Sequence, residues 1–340
     1  MAQINKPSEH INSILYTGNG STQSVTGVGF QPDLCIFKNR DQVLNPTVLD
    51  SARGLKYLYT TESGAEGNYS SNFTSFDSDG FSLGSAANVN GNGDDMLCYN
   101  WKANGTGSSN TDGSITSTVS ANTTAGFSIV SYTGTFASAT VGHGLGVAPK
   151  VIIVKNRDTT NHWCVGHNSL TWSYFLNLNL TDAQSNDSTN RFIGTAPTSS
   201  VFTVGQAGET NGNNNNMIAY CFAEKKGYSK FGSYIGNGSV DGTFVYLGFK
   251  PAWVLWKKSS GIENWGIANN KSSPFNIVDK KVRVDTALIE ATGDIMDFTS
   301  NGFKIRTSSG EYNGSGGTYV YMAFAEQPLV GTNNIPCTAR

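Results

Sequence analysis

Short apolar runs broken by Gly, Asn, Ser and Thr recur along the whole chain, and no window of twelve or more residues carries a helical apolar stripe. Runs such as Val151 to Lys155 and Tyr319 to Phe324 are rich in β-branched and aromatic residues and end at turn formers, which is the pattern of strands. Side chains alternate along a strand, so Val320, Met322 and Phe324 fall on one face and Tyr319, Tyr321 and Ala323 on the other. The chain holds 39 glycines. Pairs such as Asn19-Gly20, Asn90-Gly91, Asn211-Gly212 and Asn313-Gly314 are expected to supply the positive-φ positions of tight turns.

The pattern occurs three times. Tyr16-Thr17-Gly18-Asn19-Gly20 leads to Gly29-Phe30-Gln31-Pro32, Tyr132-Thr133-Gly134-Thr135 to Gly146-Val147-Ala148-Pro149, and Tyr234-Ile235-Gly236-Asn237-Gly238 to Gly248-Phe249-Lys250-Pro251. Pro149 follows Pro32 by 117 positions and Pro251 follows Pro149 by 102. That period exceeds a solenoid repeat of about 20–50 residues and matches a small domain. Each copy continues with an apolar run ending in cations (Leu34 to Arg40, Val151 to Arg157, Trp253 to Lys258) and closes on a longer one (Met96 to Trp101, Met217 to Glu224, Tyr319 to Glu326). Several short strands in such a length are best accommodated by two antiparallel sheets packed face to face. The expected fold is all-β, with three tandem antiparallel β-sandwich domains of jelly-roll or lectin-like type.

Composition sets the expected boundaries: an N-terminal arm over 1–10, repeats over 11–103, 126–226 and 227–327, a Gly/Ser/Thr-rich linker over 104–125, and a C-terminal tail over 328–340. The linker has almost no apolar residues and reads as flexible or extended. The second junction, around Lys225 to Gly232, is far shorter. Modules two and three are therefore expected to form a rigid pair, with module one docking or swinging separately and the arm through Glu9 serving as an anchor.

Charged residues make up only 14% of the chain, so the surface must be covered by Ser, Thr, Asn and Gly. A net charge of −2 without a basic cluster argues against nucleic acid as the main partner. The sequence has no apolar segment long enough to span a membrane and no signal-peptide core after Met1, which fits assembly in a cytoplasm. The five cysteines lack CxxC spacing and sit mostly within apolar runs, so they read as small buried hydrophobes, with disulfides or a metal site as the alternatives.

The strings Thr17-Gly18-Asn19-Gly20-Ser21-Thr22-Gln23-Ser24, Gly27-Val28-Gly29-Phe30-Gln31-Pro32-Asp33, Phe76-Asp77-Ser78-Asp79-Gly80-Phe81, Ala125 to Gly134 and Tyr220-Cys221-Phe222-Ala223-Glu224 resemble a family of triplicated proteins encoded by tailed bacteriophages, especially marine ones. The resemblance covers nearly the whole chain and departs where Pro46 stands in place of the tryptophan that the other copies carry (Trp163, Trp265), and again over Val330 to Arg340. It implies a virion structural or tail-fibre protein, with other virion proteins as partners.

No catalytic motif is present, and the four histidines (His10, His143, His162, His167) do not recur between copies. Asp77, Asp79, Asp94 and Asp95 lie in Gly-rich, turn-like segments rather than as the facing pair a glycan hydrolase needs. Asn90, Asn92, Asp94 and Asp95 offer hard oxygen ligands for calcium, without the spacing of an EF-hand loop. Trp163 and Trp265 recur at the repeat offset and read as core, whereas Trp172 and Tyr174 have no counterpart and are candidates for stacking on a sugar ring. The Lys-Asn-Arg triplets read as polar strand ends, with an acidic glycan as the alternative ligand. The expected function is a non-enzymatic phage virion protein on the particle exterior, a tail fibre or receptor-binding protein that contacts a host glycan or receptor and forms homo-oligomers. A capsid decoration protein is the alternative.

Overall fold

The computed structural model of the chain describes residues 3–333 and 335–338. Strands dominate, and the α-helices among the described residues are single turns: Ala87–Asn90, Gly208–Asn211 and Gly310–Asn313, one per module. The protein is all-β and its strand pairings are antiparallel, apart from one isolated parallel bridge between Ile115 and Val141. Module one has a six-stranded sheet (Ile11–Thr17, Asp95–Trp101, Leu34–Asn39, Thr47–Asp50, Gly54–Tyr59, Gly67–Asn68) backed by a three-stranded one (Gln23–Thr26, Gly80–Leu83, Phe73–Asp77). Module two repeats this order around Phe127–Thr133, Asn216–Phe222, Val151–Asn156 and Cys164–His167, backed by the pair Ala139–Gly142 and Val201–Val204. In module three the two layers are joined into one eight-stranded sheet running from Ser229–Ile235 to Phe244–Tyr246.

The closing strands explain how the modules combine. Tyr319, Tyr321 and Ala323 face the core of module three, as expected of a sandwich. Val320, Met322 and Phe324 face a second core. Ile218, Tyr220 and Phe222 of module two and Leu97, Tyr99 and Trp101 of module one enter that same core. Each closing run is apolar on both faces because both faces are buried. At the far ends of these strands Trp101, Phe222 and Phe324 form a nearly equilateral aromatic triangle, with ring centroids 6.4, 5.9 and 6.1 Å apart. The rings meet edge to face, the arrangement their quadrupoles favour. The three modules thus surround a pseudo-threefold axis and share one axial core, and each keeps a smaller core of its own.

This arrangement corrects two expectations. Module one does not swing: its strands supply a third of the axial wall. The stretch 104–125 is not a free linker but carries strands Ser108–Asn110 and Ser117–Asn122, the latter paired along its length with Phe127–Thr133. Its polar composition misled because an edge strand gains its order from backbone pairing, which small polar residues allow. The arms are also docked, with Gln3 Nε2 donating to Val330 O at 2.6 Å and Asn5 Nδ2 to Thr332 Oγ1 at 2.7 Å.

The repeated glycine signature has a specific cause. A Cβ at Gly18, Gly134 or Gly236 would lie only 2.1, 2.2 or 2.4 Å from the carbonyl oxygen of Gly91, Gly212 or Gly314. Those three partners end the single-turn helices with φ near −60°, so the Asn-Gly pairs at 90, 211 and 313 are close-approach sites rather than positive-φ turns. Gly20 and Gly238 do adopt positive φ, as expected.

Candidate functional site

The conspicuous chemistry lies at the three seams between modules. The cation ending each central strand, Lys38, Lys155 or Lys257, is fully buried. Each ammonium donates across a seam to a backbone carbonyl: Lys38 to Ala287 at 2.9 Å, Lys155 to Ser63 at 3.0 Å and Lys257 to Thr181 at 3.0 Å. Module one therefore reaches three, two reaches one, and three reaches two, which closes a ring. Burial pushes each amine down to about 8, aided at Lys155 by nearby Arg53, so the charged form still prevails at neutral pH. The following residues of the triplets are committed as well. Asn39 and Asn156 donate to Ala87 O and Gly208 O of the helical turns. Arg40 grips Glu290 and Arg157 grips Glu66 through two guanidinium nitrogens each. The triplets build the seams, and this organisation was not apparent from sequence. Their repetition beside an apolar run was the signal, because solvated strand ends need not repeat.

The tryptophans expected in the core are there and also cross seams. Trp163 Nε1 donates to Tyr59 O and Trp265 Nε1 to Asn177 O, each at 2.9 Å. Module one, with Pro46 at that position, instead uses the Thr60 hydroxyl, 2.5 Å from Val284 O. Where strand register makes Asp50, His167 and Asn269 equivalent, the three seams differ. Asp50 accepts from Arg53 Nε at 2.6 Å and from the Tyr220 hydroxyl at 2.7 Å, all out of water. Burial alone would discourage the Arg53 charge, but Asp50, Tyr220 and Glu66 beside it hold the guanidinium above its ordinary value. His167 accepts from Ser169 N at Nδ1, so its Nε2 carries the proton and donates to Tyr321 O at 3.2 Å, and burial lowers it to about 4. Asn269 Nδ2 donates to the Tyr99 hydroxyl at 3.2 Å.

The candidate ligands from sequence are placed elsewhere. Trp172 is buried with its ring edge to face against Phe192 and offers no open ring face, and half-buried Tyr174 packs on the axial core. Trp172 belongs to module two's own core. Asn90 is fully buried, its Oδ1 accepting from Asn19 N and its Nδ2 donating to Ser21 O and Gly84 O. Asn211 and Asn313 repeat this clamp. Asp94 accepts from Asn39 and Gln42, exposed Asp95 lies 3.4 Å from Arg40, and Asn92 is exposed. Among the described residues no three His, Cys, Asp or Glu side chains are grouped to hold a metal. Asp77 and Asp79 serve turns, Asp79 accepting from Gly27 N and Gly29 N. The cysteines are free, four of them buried.

Among the concave sites of the described residues, one lies at the seam between modules three and one. It is a cleft of about 350 Å³ whose walls include Ile11, Asn12 and Ser13 on one side and Trp253, Asn270 and Glu326 on the other. Asn270 Nδ2 donates to Glu326 Oε2 at 2.8 Å, and Lys250 Nζ lies 3.5 Å from the same carboxylate.

The sequence pattern of one family, described as a domain of unknown function (DUF7483), spans residues 6–328, across all three modules. The chain belongs to the DUF7483 family. The triplicated body is thus the unit by which that family is recognised. No curated protein and no solved structure matches the chain.

Proposed function

We propose that this DUF7483 protein is a non-enzymatic structural protein on the exterior of a tailed-bacteriophage particle, where it acts in host adhesion as part of a tail fibre. The sequence resemblance supports the phage setting. The observation that carries the mechanical role is the closed ring of seams. The three buried lysines and the Arg40–Glu290 and Arg157–Glu66 pairs are committed to holding modules together, while the three clamp asparagines brace each module internally. Outward remain loops rich in Ser, Thr, Asn and Gly, with exposed apolar residues such as Ile262 and Phe275 among them, a surface suited to displaying contacts rather than to turning over a substrate. Capsid decoration is the second reading, and it is favoured by the short, closed, pseudo-threefold shape. Gold-labelled antibody on virions tests both. Label at the tail, with purified protein blocking adsorption to host cells, is the expected result. Label confined to the head would replace adhesion by decoration, and an unlabelled particle would remove both.

A further inference from the structure

The three seams are equivalent in position but not in what fills them. At the first, the chain leaving module one threads between modules one and two. Ala103 N and Gly105 N donate to the Asp33 carboxylate at 2.6 and 3.0 Å, and the Ser51 hydroxyl lies 2.9 Å from Gly105 O. The chain then returns as Ser117–Asn122, antiparallel to Phe127–Thr133, and covers the edge of module two's sheet. At the second seam the short 3₁₀ turn Asn168–Leu170 packs against the edge strand Ser229–Ile235.

The third seam holds the 350 Å³ cleft. Backbone bonds from Ser51 N to Asp33 O and from Asn270 N to Ala252 O make Ala252 and Asn270 the counterparts of Asp33 and Ser51. Register against the closing strands makes Ile11–Thr17 the counterpart of Phe127–Thr133. The cleft is therefore the place that residues 103–105 occupy at the first seam. It borders a strand whose other edge has no neighbour in the sheet. On this strand Leu15 is 39% exposed, whereas the matching Ser131 is half-buried and paired with Thr118 of the added strand. Such an edge is a ready template for an added strand.

We propose that the third-seam cleft and the free edge of Ile11–Thr17 receive an extended strand from a partner protein. The strand is uncharged and built of small Ser, Thr, Ala and Gly residues, and it runs antiparallel to Ile11–Tyr16 as Ser117–Asn122 runs to Phe127–Tyr132. The protein's own occupant of the equivalent site sets that chemistry. Glu326 is already bonded to Asn270 and near Lys250, and the other charged lining residue, Lys271, is solvent-exposed, so neither requires a charged ligand. The inference stands whichever part of a particle carries the protein.

A synthetic peptide of residues 103–122 is the probe, read by calorimetry and by hydrogen exchange on the full chain. Binding of one peptide per chain should slow exchange across Ile11–Thr17 at least tenfold, and a scrambled peptide should not. Ala252→Asp restores the carboxylate that Asp33 supplies. Because hydrogen bonds to a charged group contribute about 1.5–3 kcal/mol, it should tighten binding roughly tenfold or more. If that variant misfolds, Asn270→Ser restores the Ser51 hydroxyl and serves instead. Unchanged exchange at Ile11–Thr17 with saturating peptide would overturn the proposal. So would slowing confined to Phe127–Thr133, which would mean the peptide only displaces its own copy. Concentration-dependent slowing at Ile11–Thr17 without peptide would assign the cleft to a second copy of this chain.

Discussion

At the first seam the residue facing the neighbour's closing strand is Asp50, charged, gripping Arg53 and the Tyr220 hydroxyl. At the second it is His167, neutral, donating to the Tyr321 carbonyl. Both positions are shut off from water, and both lie at the same register of the same strand. The flanking elements hardly differ: a buried lysine spans each seam, and a tryptophan indole closes each. The repeated fold therefore fixes where polar groups meet, and each seam solves the desolvation of those groups separately. A charge can be buried at the first seam because Asp50 is bonded to both Arg53 and the Tyr220 hydroxyl, with Glu66 nearby. At the second the same problem is solved by leaving the group uncharged.

Removing one partner should separate the seams most. Arg53→Ala strands Asp50 without its cation and should lower unfolding free energy by about 3–5 kcal/mol in urea titration. A loss under about 1 kcal/mol would mean the pair is not desolvated in the folded protein. Acid should act on the other seam. His167 titrates near 4 in the folded chain and near 6.5 once unfolded, so its contribution is complete above about 6.5 and declines as pH falls toward 4. The decline is about 1.4 kcal/mol per pH unit. A His167→Asn variant should lose that part of the slope between pH 6.5 and 4, and parallel melting curves for the two proteins would refute the buried neutral imidazole.

The feature common to both seams should give smaller changes. Lys155→Met removes a buried charge together with its bond to Ser63 O, two effects of opposite sign, and should shift stability by no more than about 1.5 kcal/mol at pH 7. Thermal denaturation at fixed protein concentration measures it. The smallest difference should be proteolytic. Cleavage within 104–125 should be no faster than around 225–232, because both wait on opening of the shared core. Early release of modules two and three as a fragment would restore the flexible linker and break the comparison altogether.

The local pattern was largely readable in the chain. Alternation in Tyr319 to Phe324 puts each side chain on the face it occupies, and Trp163 and Trp265 recur at core positions. The axial core is less legible, although Val320, Met322 and Phe324 opposite Tyr319, Tyr321 and Ala323 leave no polar face for solvent. A strand apolar on both sides must be covered twice, and a lone sandwich covers it once. The seam lysines were hidden for a different reason. A cation after an apolar run looks the same whether it meets water or a neighbour's carbonyl, and that neighbour lies some 76 to 249 residues away in sequence. Trp172 misled by its singularity, since a residue without a counterpart marks an asymmetric core as readily as a binding surface.

The joining of three modules in one chain changes what substitution can do. In an assembly of three identical subunits every replacement at an interface appears three times, so a change tolerable at one contact must be tolerable at all. Here Asp50, His167 and Asn269 are inherited separately. One interface can acquire an ion pair, another a titratable ring and the third an opening, while the other two keep the body closed. Covalent continuity also removes dilution as a hazard: the ring closes at any concentration, and its three unlike faces are always presented in the same rotational order.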